Sequence, residues 1–322
     1  MRLPLLFYFL FGVMNGFAAG GYGDAVSLYE YGKFKQAADS LTEKIKLAPE
    51  DAELHLWLGK SYYKMRHWDD AVREFETAVR LDSDNSTHHL WLGRAYGQKA
   101  AHVSFFFAFS WARKVVKEFQ TARRLAPDDT DVRFDLLEYY LNAPGIVGGG
   151  RDKAEAEVRA IAEISPNLGY LARAQIFQKD KKWDQARAEL EEAIQAYPTQ
   201  AARYQDMADF LFQREDFAAA ESSARMALDL SPTLPKSRLI YAASLVRTGK
   251  SLPEAEGILM ELSAGPLQDD GPLFEEAYYW LGEAFTRQGK TEDAIQAFTT
   301  ALDFNPEFDM AKAAMRQARQ GI

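Results

Sequence analysis

Small, large apolar and polar residues follow one another in an order that returns about every 34 residues along the chain. The clearest copies read W-L-G-K-S-Y-Y from Trp57, W-L-G-R-A-Y from Trp91 and W-L-G-E-A-F from Trp280. A second small residue follows twelve positions after the first, and a proline usually ends the unit because it cannot continue a helix. A period of this length predicts an array of helical hairpins. Function is therefore expected on a surface and not in a catalytic pocket.

Each predicted unit has a first helix, A, and a second helix, B, which approach closely at alanine or glycine. Larger side chains at positions 8 and 20 of the unit would hold the two backbones apart. Position 8 is Ala25, Gly59, Gly93, Ala174, Ala208, Ala242 and Gly282. An aromatic residue marks the start of helix B, and Asp69 and Asp184, which follow it in two units, are predicted to be N-caps.

Composition narrows the class of partner. The 322 residues are 47% hydrophobic, which is enough for a folded core, and their net charge is −9. Nucleic acid is not expected as a partner, because phosphate contacts need a basic surface. The chain has no cysteine, so neither a disulfide framework nor a thiol nucleophile is available.

Residues 1–20 are predicted to form a cleaved secretory signal. A short basic start precedes an apolar stretch from Leu3 to Val13, and small residues follow at Ala18 and Ala19. The competing interpretation is an uncleaved anchor, although the apolar stretch is shorter than the ~20 residues that span a bilayer. We therefore expect a periplasmic or secreted protein with no transmembrane segment in the mature chain.

The recurring skeleton resembles the tetratricopeptide repeat (TPR) family, in which large residues, small residues and a final proline occupy fixed positions. The resemblance implies an all-α fold, an α-solenoid of about eight helix-turn-helix repeats closed by a C-terminal capping helix. It also implies a right-handed superhelix with the A helices on its concave face, and a role in binding other proteins. The predicted solenoid covers 21–322, with units near 18–51, 52–85, 86–129, 130–166, 167–200, 201–234, 235–274 and 275–308 and a cap at 308–320.

Aromatic and basic residues alternate on the predicted concave face of the second and third units. The predicted partner-binding residues are Trp57, Lys60, Tyr63, Lys64, Trp91 and Arg94. Later units place acidic residues at equivalent positions, so the groove is expected to change sign along its length. In an alternative interpretation, the tryptophans only pack between helices.

The third unit carries about ten extra residues between Tyr96 and Val115. They include the run V-S-F-F-F-A-F-S-W-A, and no acidic residue occurs from 85 to 117. One interpretation is a membrane-interface or partner-docking element, and the other is that lengthened helices pack on neighbouring repeats. The residues of the docking interpretation are Phe105, Phe106, Phe107, Phe109 and Trp111.

Candidate catalytic chemistry is weak throughout the sequence. The glycine run 148–150 is interpreted as an elongated turn within the fourth unit. His55 and His89 occupy the same repeat position and are expected to replace a packing aromatic residue. Carboxylates are expected on solvated helix faces, and no metal or cofactor is predicted.

These observations favour a non-enzymatic scaffold that is exported and binds a peptide or helix of a partner protein in its groove. The alternative function is a peripheral membrane or lipid-associated envelope protein that uses the aromatic insertion at 103–112.

Overall fold

The computed structural model describes residues 22–267 and 273–320, and within them the chain is helical with no strand. The predicted signal at 1–20 therefore lies outside the described residues. Seventeen α-helices are described: α1 (Gly23–Glu30), α2 (Phe34–Leu47), α3 (Ala52–Lys64), α4 (Trp68–Leu81), α5 (Ser86–His102), α6 (Phe105–Leu125), α7 (Thr130–Asn142), α8 (Arg151–Ile164), α9 (Pro166–Lys179), α10 (Trp183–Ala196), α11 (Ala201–Gln213), α12 (Phe217–Leu230), α13 (Pro235–Thr248), α14 (Leu252–Ala264), α15 (Phe274–Arg287), α16 (Thr291–Phe304) and α17 (Asp309–Gln320). Each odd-numbered helix from α1 to α15 packs on the next helix as an antiparallel hairpin, and α17 covers α15 and α16. The predicted α-solenoid with a capping helix is confirmed.

The A helices lie on the inner side of the array. Successive A helices contact each other directly in four pairs: α3 with α5, α7 with α9, α11 with α13, and α13 with α15. Buried apolar residues form a core that continues from α3 to α9 and then from α9 to α17. Because each hairpin hides its apolar face mainly against its neighbours, stability is spread along the array.

Glycine at position 8 makes room for an aromatic ring of helix B. A Cβ atom at Gly59 would lie 2.6 Å from the Phe75 ring. Gly93 and Gly282 face Phe119 and Phe298 in the same way, each at 2.5 Å. The sequence analysis predicted a close approach of the two helices at position 8. The structure shows that the group which needs this space is the phenylalanine ring at position 24 of helix B.

The helix caps differ from the prediction at Asp69 and Asp184. Helices α4 and α10 begin at the tryptophan before each aspartate, two residues earlier than predicted, and their N-cap residues are His67 and Lys182. Each aspartate instead occupies the first turn, where its charge complements the helix dipole.

The first hairpin touches the last one, so the two ends of the array meet. The Phe34 ring lies 6.1 Å from the Phe304 ring and 6.4 Å from the Phe274 ring, measured between centroids. The Leu267 amide also donates to the Glu30 carbonyl at 2.6 Å. The array is therefore closed on itself, a feature that the sequence analysis did not predict.

Candidate functional site

Five of the six predicted partner-binding residues come together on the inner face of α3 and α5. The Lys60 ammonium lies between two indole rings, 4.3 Å from the Trp57 centroid and 4.9 Å from the Trp91 centroid. Tyr63 meets Trp91 edge-on, with centroids 5.6 Å apart. The Arg94 guanidinium lies 5.2 Å from the Trp91 centroid. We call these five residues the aromatic–cationic cluster.

The charge of the aromatic–cationic cluster is partly compensated from the next repeat. Arg94 Nε donates to Asp135 Oδ2 of α7 at 2.6 Å. Burial raises the pKa of Asp135, although the Arg94 guanidinium opposes that shift. Gln98 donates to the Tyr63 hydroxyl at 3.2 Å, which fixes the ring beside the groove.

A cavity of about 700 Å³ opens beside the aromatic–cationic cluster. Small residues line one side of it, including Gly93, Gly97 and Ala101, and leave room for a side chain from outside. A second cavity of about 480 Å³ continues over α7 and α9. The two cavities share Asp135 and Glu138, so they form one groove. Grooves of this size accommodate several side chains of a bound segment.

Lys64 lines a separate cavity, which it shares with one member of the aromatic–cationic cluster, Tyr63. This smaller cavity measures about 170 Å³ and is also lined by Arg66 and Trp68 of the same unit. Phe274 and Glu275 from the far end of the array complete that cavity. The closure of the array therefore adds residues of the last hairpin to the surroundings of Lys64, a contact that the sequence analysis did not predict.

Several carboxylates lie on the inner face and are withdrawn from solvent, contrary to the expectation of solvated helix faces. Burial raises the pKa of Asp206 on α11 to about 6, and it also raises the pKa of Glu276 and Glu283 on α15. In α8, the Glu157 side chain is only 3% exposed and is paired with Arg123 and Arg133. The position of a carboxylate within the repeat did not reveal that it would be withdrawn from solvent or paired with arginine.

The aromatic insertion forms the ends of two long helices, α5 and α6, which pack against each other. Trp111 packs on Tyr96, with centroids 5.4 Å apart, and Lys114 Nζ lies 4.5 Å from its ring. Phe109 is half-buried, whereas Phe107 is 66% exposed. The Phe105 and Phe106 side chains lie outside the described residues. The aromatic side chains that the structure describes in this segment do not form one exposed wedge, and the membrane alternative gains no support from them.

None of the described helices is both long and apolar enough to cross a bilayer.

The glycine run forms an ordered turn between α7 and α8. Gly148 and Gly150 have φ of +97° and +153°, which favour glycine, and a Cβ at Gly149 would lie 1.8 Å from the Ala143 carbonyl oxygen. Lys153 donates to the Gly148 carbonyl at 2.7 Å, so its ammonium is engaged by the turn itself.

Two histidines are held by carboxylates of helix B. His55 Nδ1 lies 2.7 Å from Glu74 Oε2, and His89 Nδ1 lies 2.6 Å from Glu118 Oε2. Their hydrogen bonds raise the pKa of both histidines. The prediction of simple packing residues missed these ion pairs, and within the described residues no group of three or more ligating side chains is suited to a metal.

Three segments match tetratricopeptide repeat family models: residues 19–96, 171–235 and 275–308. Together they cover more than half of the chain. A comparison with curated proteins finds no sequence match.

Solved structures share the fold at low sequence identity. Yeast Tom70 aligns with a TM-score of 0.60 and 17% identity over 90% of this chain, which spans 59% of the Tom70 chain. A monomeric mutant of IFIT1 with Gppp-AAAA aligns with a TM-score of 0.50 and 15% identity, covering 91% of this chain and 70% of that one. A tetratricopeptide repeat protein from Parabacteroides merdae has a TM-score of 0.47 and 14% identity, with 92% and 96% covered. From its repeat pattern, its helical hairpins and these family matches, the chain belongs to the tetratricopeptide repeat family.

Proposed function

We propose that this protein is a non-enzymatic scaffold that binds an extended or helical segment of a partner protein on its inner face. TPR folds are typical of protein–protein interaction scaffolds, and the aromatic–cationic cluster gives this one a specific anchor. The observation that carries the proposal is the cluster of five aromatic and cationic side chains, two of which, Tyr63 and Arg94, line a cavity of about 700 Å³. Tryptophan, tyrosine and arginine are the residues that most often dominate binding energy at interfaces.

A displayed library of random peptides, selected on the purified protein, tests this proposal without knowledge of the natural partner. Binding of the selected peptides is then measured by calorimetry against variants. Lys60→Met keeps an unbranched side chain between the two indole rings but removes the charge. We expect it to weaken binding at least several-fold with little change in melting temperature.

A surface variant provides the matched control. Lys35→Met removes the same charge from α2, where the Lys35 side chain is 81% exposed. It should leave peptide affinity unchanged. If Lys60→Met and Lys35→Met bind the selected peptides equally well, the groove of α3 and α5 is not the binding site.

We also propose that the protein is exported. The support is the tripartite pattern of residues 1–20, in which a basic start, an apolar stretch and small residues follow in order. N-terminal sequencing of protein purified from its natural host should begin at Ala19 or Gly21. Retention of Met1 to Val13 on a cytoplasmic protein would contradict export.

A further inference from the structure

The cavity of about 700 Å³ lies between two successive A helices, α5 and α7, that pack loosely on each other. The pairs α11 with α13 and α13 with α15 pack together more closely than this pair does. The lining of the cavity comes from α5, from α7 and from α6, which packs on α5. Its volume falls within the range of roughly 300–1,000 Å³ that ligand pockets occupy.

The extra residues of two neighbouring units contribute to this cavity. The elongated turn of the fourth unit supplies Ala143. The Tyr139 hydroxyl, which is also in the lining, lies 2.7 Å from the carbonyl oxygens of both Ala112 and Val147 and so links α6 to that turn. The lengthened helices of the third unit supply Gly97, Gln98, Ala100, Ala101 and Ala112. Two separate departures from the regular repeat therefore build one pocket.

The lining of the cavity is apolar where it is deep and polar where it is exposed. Its buried residues are Gly93, Val115 and Phe119, which form an apolar floor. The polar side chains of Glu138 and Asn142 are exposed and lie at its mouth. A charged group on the floor would lose its hydration and meet no opposite charge there. The floor is therefore suited to an uncharged, apolar group.

The cavity is continuous with the aromatic–cationic cluster. Tyr63 and Arg94 belong to the cluster and also line the cavity. Arg94 donates to Asp135 across the cavity at 2.6 Å, so these two charges compensate each other within the lining. A segment that is bound at the cluster and continues along the groove would pass over the polar mouth. From there, a side chain of the segment could reach the apolar floor.

We propose that this cavity receives one large apolar side chain, such as leucine, phenylalanine or tryptophan, from the bound segment. This inference rests on the proposed function and specifies the residue that anchors the partner. Contact with Val115 and Phe119 would remove the apolar side chain from water, while the backbone of the segment stays among the polar groups of the mouth. Side chains that fill a desolvated pocket in this way often dominate the binding energy of an interface.

Gly97 allows the cavity to be filled without a steric conflict. It lies within α5 and lines the cavity, and a Cβ atom at this position would meet nothing within 4 Å. Gly97→Leu replaces a poor helix former by a good one, so we expect an equal or higher melting temperature. The same variant should weaken binding of the selected peptides about tenfold or more, because the leucine occupies the space of their apolar side chain.

Gly257 within α14 provides the matched control. A Cβ atom there would also meet nothing within 4 Å, but the residue is exposed and does not line this cavity. Gly257→Leu should shift the melting temperature in the same direction and leave peptide affinity unchanged. Ala101→Leu is a second filling variant, placed at an exposed position of the same lining, and it should weaken binding as Gly97→Leu does.

The composition of the selected peptides gives an independent measurement. We expect enrichment in large apolar residues, and replacement of the most enriched one by alanine should weaken binding to the unmodified protein. The alanine peptide should lose little further affinity with Gly97→Leu, since the side chain that the leucine displaces is already absent. Fully additive losses would show that the two changes act at different places, and would overturn the proposal.

The outcomes separate this inference from the proposed function. Peptides that lose affinity with Lys60→Met but respond to neither Gly97→Leu nor Ala101→Leu would overturn the pocket proposal alone. Calorimetry with laurate tests a free lipid as the occupant. Laurate binding that Gly97→Leu abolishes, with peptide affinity unchanged, would also overturn it. If the selected peptides respond to none of these three substitutions, the groove itself is not the site and both proposals fail.

Discussion

At the scale of single residues, the side chain at position 8 is small where the side chain at position 24 of the same unit is large. The three units with glycine at position 8 have phenylalanine opposite, as in Gly59 and Phe75. Units with alanine at position 8 have a smaller apolar residue at position 24, as in Ala25 and Leu41. The sequence revealed that position 8 is small. That its size depends on the residue at position 24 becomes visible only when the structure shows that these two side chains meet.

This matching predicts a compensating pair of substitutions. Gly59→Ala places a methyl group 2.6 Å from the fully buried Phe75 ring, so we expect a loss of about 1 to 3 kcal/mol in unfolding free energy. Phe75→Leu in the same chain should recover much of that loss, since it recreates the arrangement of Ala25 and Leu41. Urea denaturation of both single variants and the double variant measures the coupling. Strictly additive losses would contradict the size matching.

The pair formed by His89 and Glu118 predicts a pH dependence of stability. The hydrogen bond to Glu118 raises the pKa of His89 in the folded state. The stabilisation by the charged pair is therefore fully present below the ordinary histidine pKa of about 6.5, and it is lost as pH rises through the raised folded value. Glu118→Gln should cost about 1 to 3 kcal/mol at pH 6 and less at pH 9, as measured by urea denaturation.

The exposed Glu163 on α8 provides the control for that measurement. Glu163→Gln should differ from the unmodified protein by the same small amount at both pH values. A constant difference for Glu118→Gln between pH 6 and pH 9 would show that the charge of His89 does not stabilise the fold. The sequence did not suggest this pair because its partners lie 29 residues apart on two helices.

At the scale of elements, the turn between helices A and B has one recurring conformation. Position 15 of the unit has a left-handed backbone, with φ between 58° and 74° in six units. Glycine occupies it in three of them, whereas Arg66, Lys181 and Glu215 adopt it in the others. The helices flanking this turn could be predicted from sequence. The left-handed backbone at position 15 could not, because in three of the six units this position holds a residue with a bulky side chain and not glycine.

Glycine at this position should relieve strain. Glu215→Gly removes a side chain from a backbone with φ of +61°, at a helix end where no packing is lost. The relief of about 1 to 2 kcal/mol exceeds the added entropy of the unfolded chain, so we expect a net stabilisation of about 0.5 to 1 kcal/mol. Thermal unfolding checks this result. Asp216→Gly, at the next residue with φ of −82°, should instead destabilise, because the Asp216 side chain caps α12.

At the scale of the whole molecule, the array is closed by contacts between its first and last hairpins. The rings of Phe34, Phe274 and Phe304 lie together between the first and last hairpins. Arg66 adds ion pairs, 3.9 Å from Glu275 and 3.7 Å from Glu307. A repeat pattern reports only contacts between neighbouring units, so the meeting of two units more than 200 residues apart left no signal in it.

Two glycines in the same turn conformation allow the closure to be tested separately from turn strain. Gly32 and Gly289 have φ of +72° and +74°, so alanine is equally strained at both. A Cβ at Gly32 would lie 2.7 Å from the Phe274 ring, whereas one at Gly289 would meet nothing within 4 Å. Gly32→Ala should therefore push the first hairpin away from α15, and Gly289→Ala should leave the two ends in place.

Because the chain has no cysteine, dyes attached to Lys35→Cys and Asp303→Cys report the distance between α2 and α16 without competing labels. We expect energy transfer to be high in the otherwise unmodified chain and in Gly289→Ala, and to fall in Gly32→Ala. Both variants should lose similar stability in their own turn, about 1 kcal/mol or more, which circular dichroism during heating would verify. Equal energy transfer in the two variants would contradict a closed array, since only the ring of Phe274 distinguishes the surroundings of the two glycines.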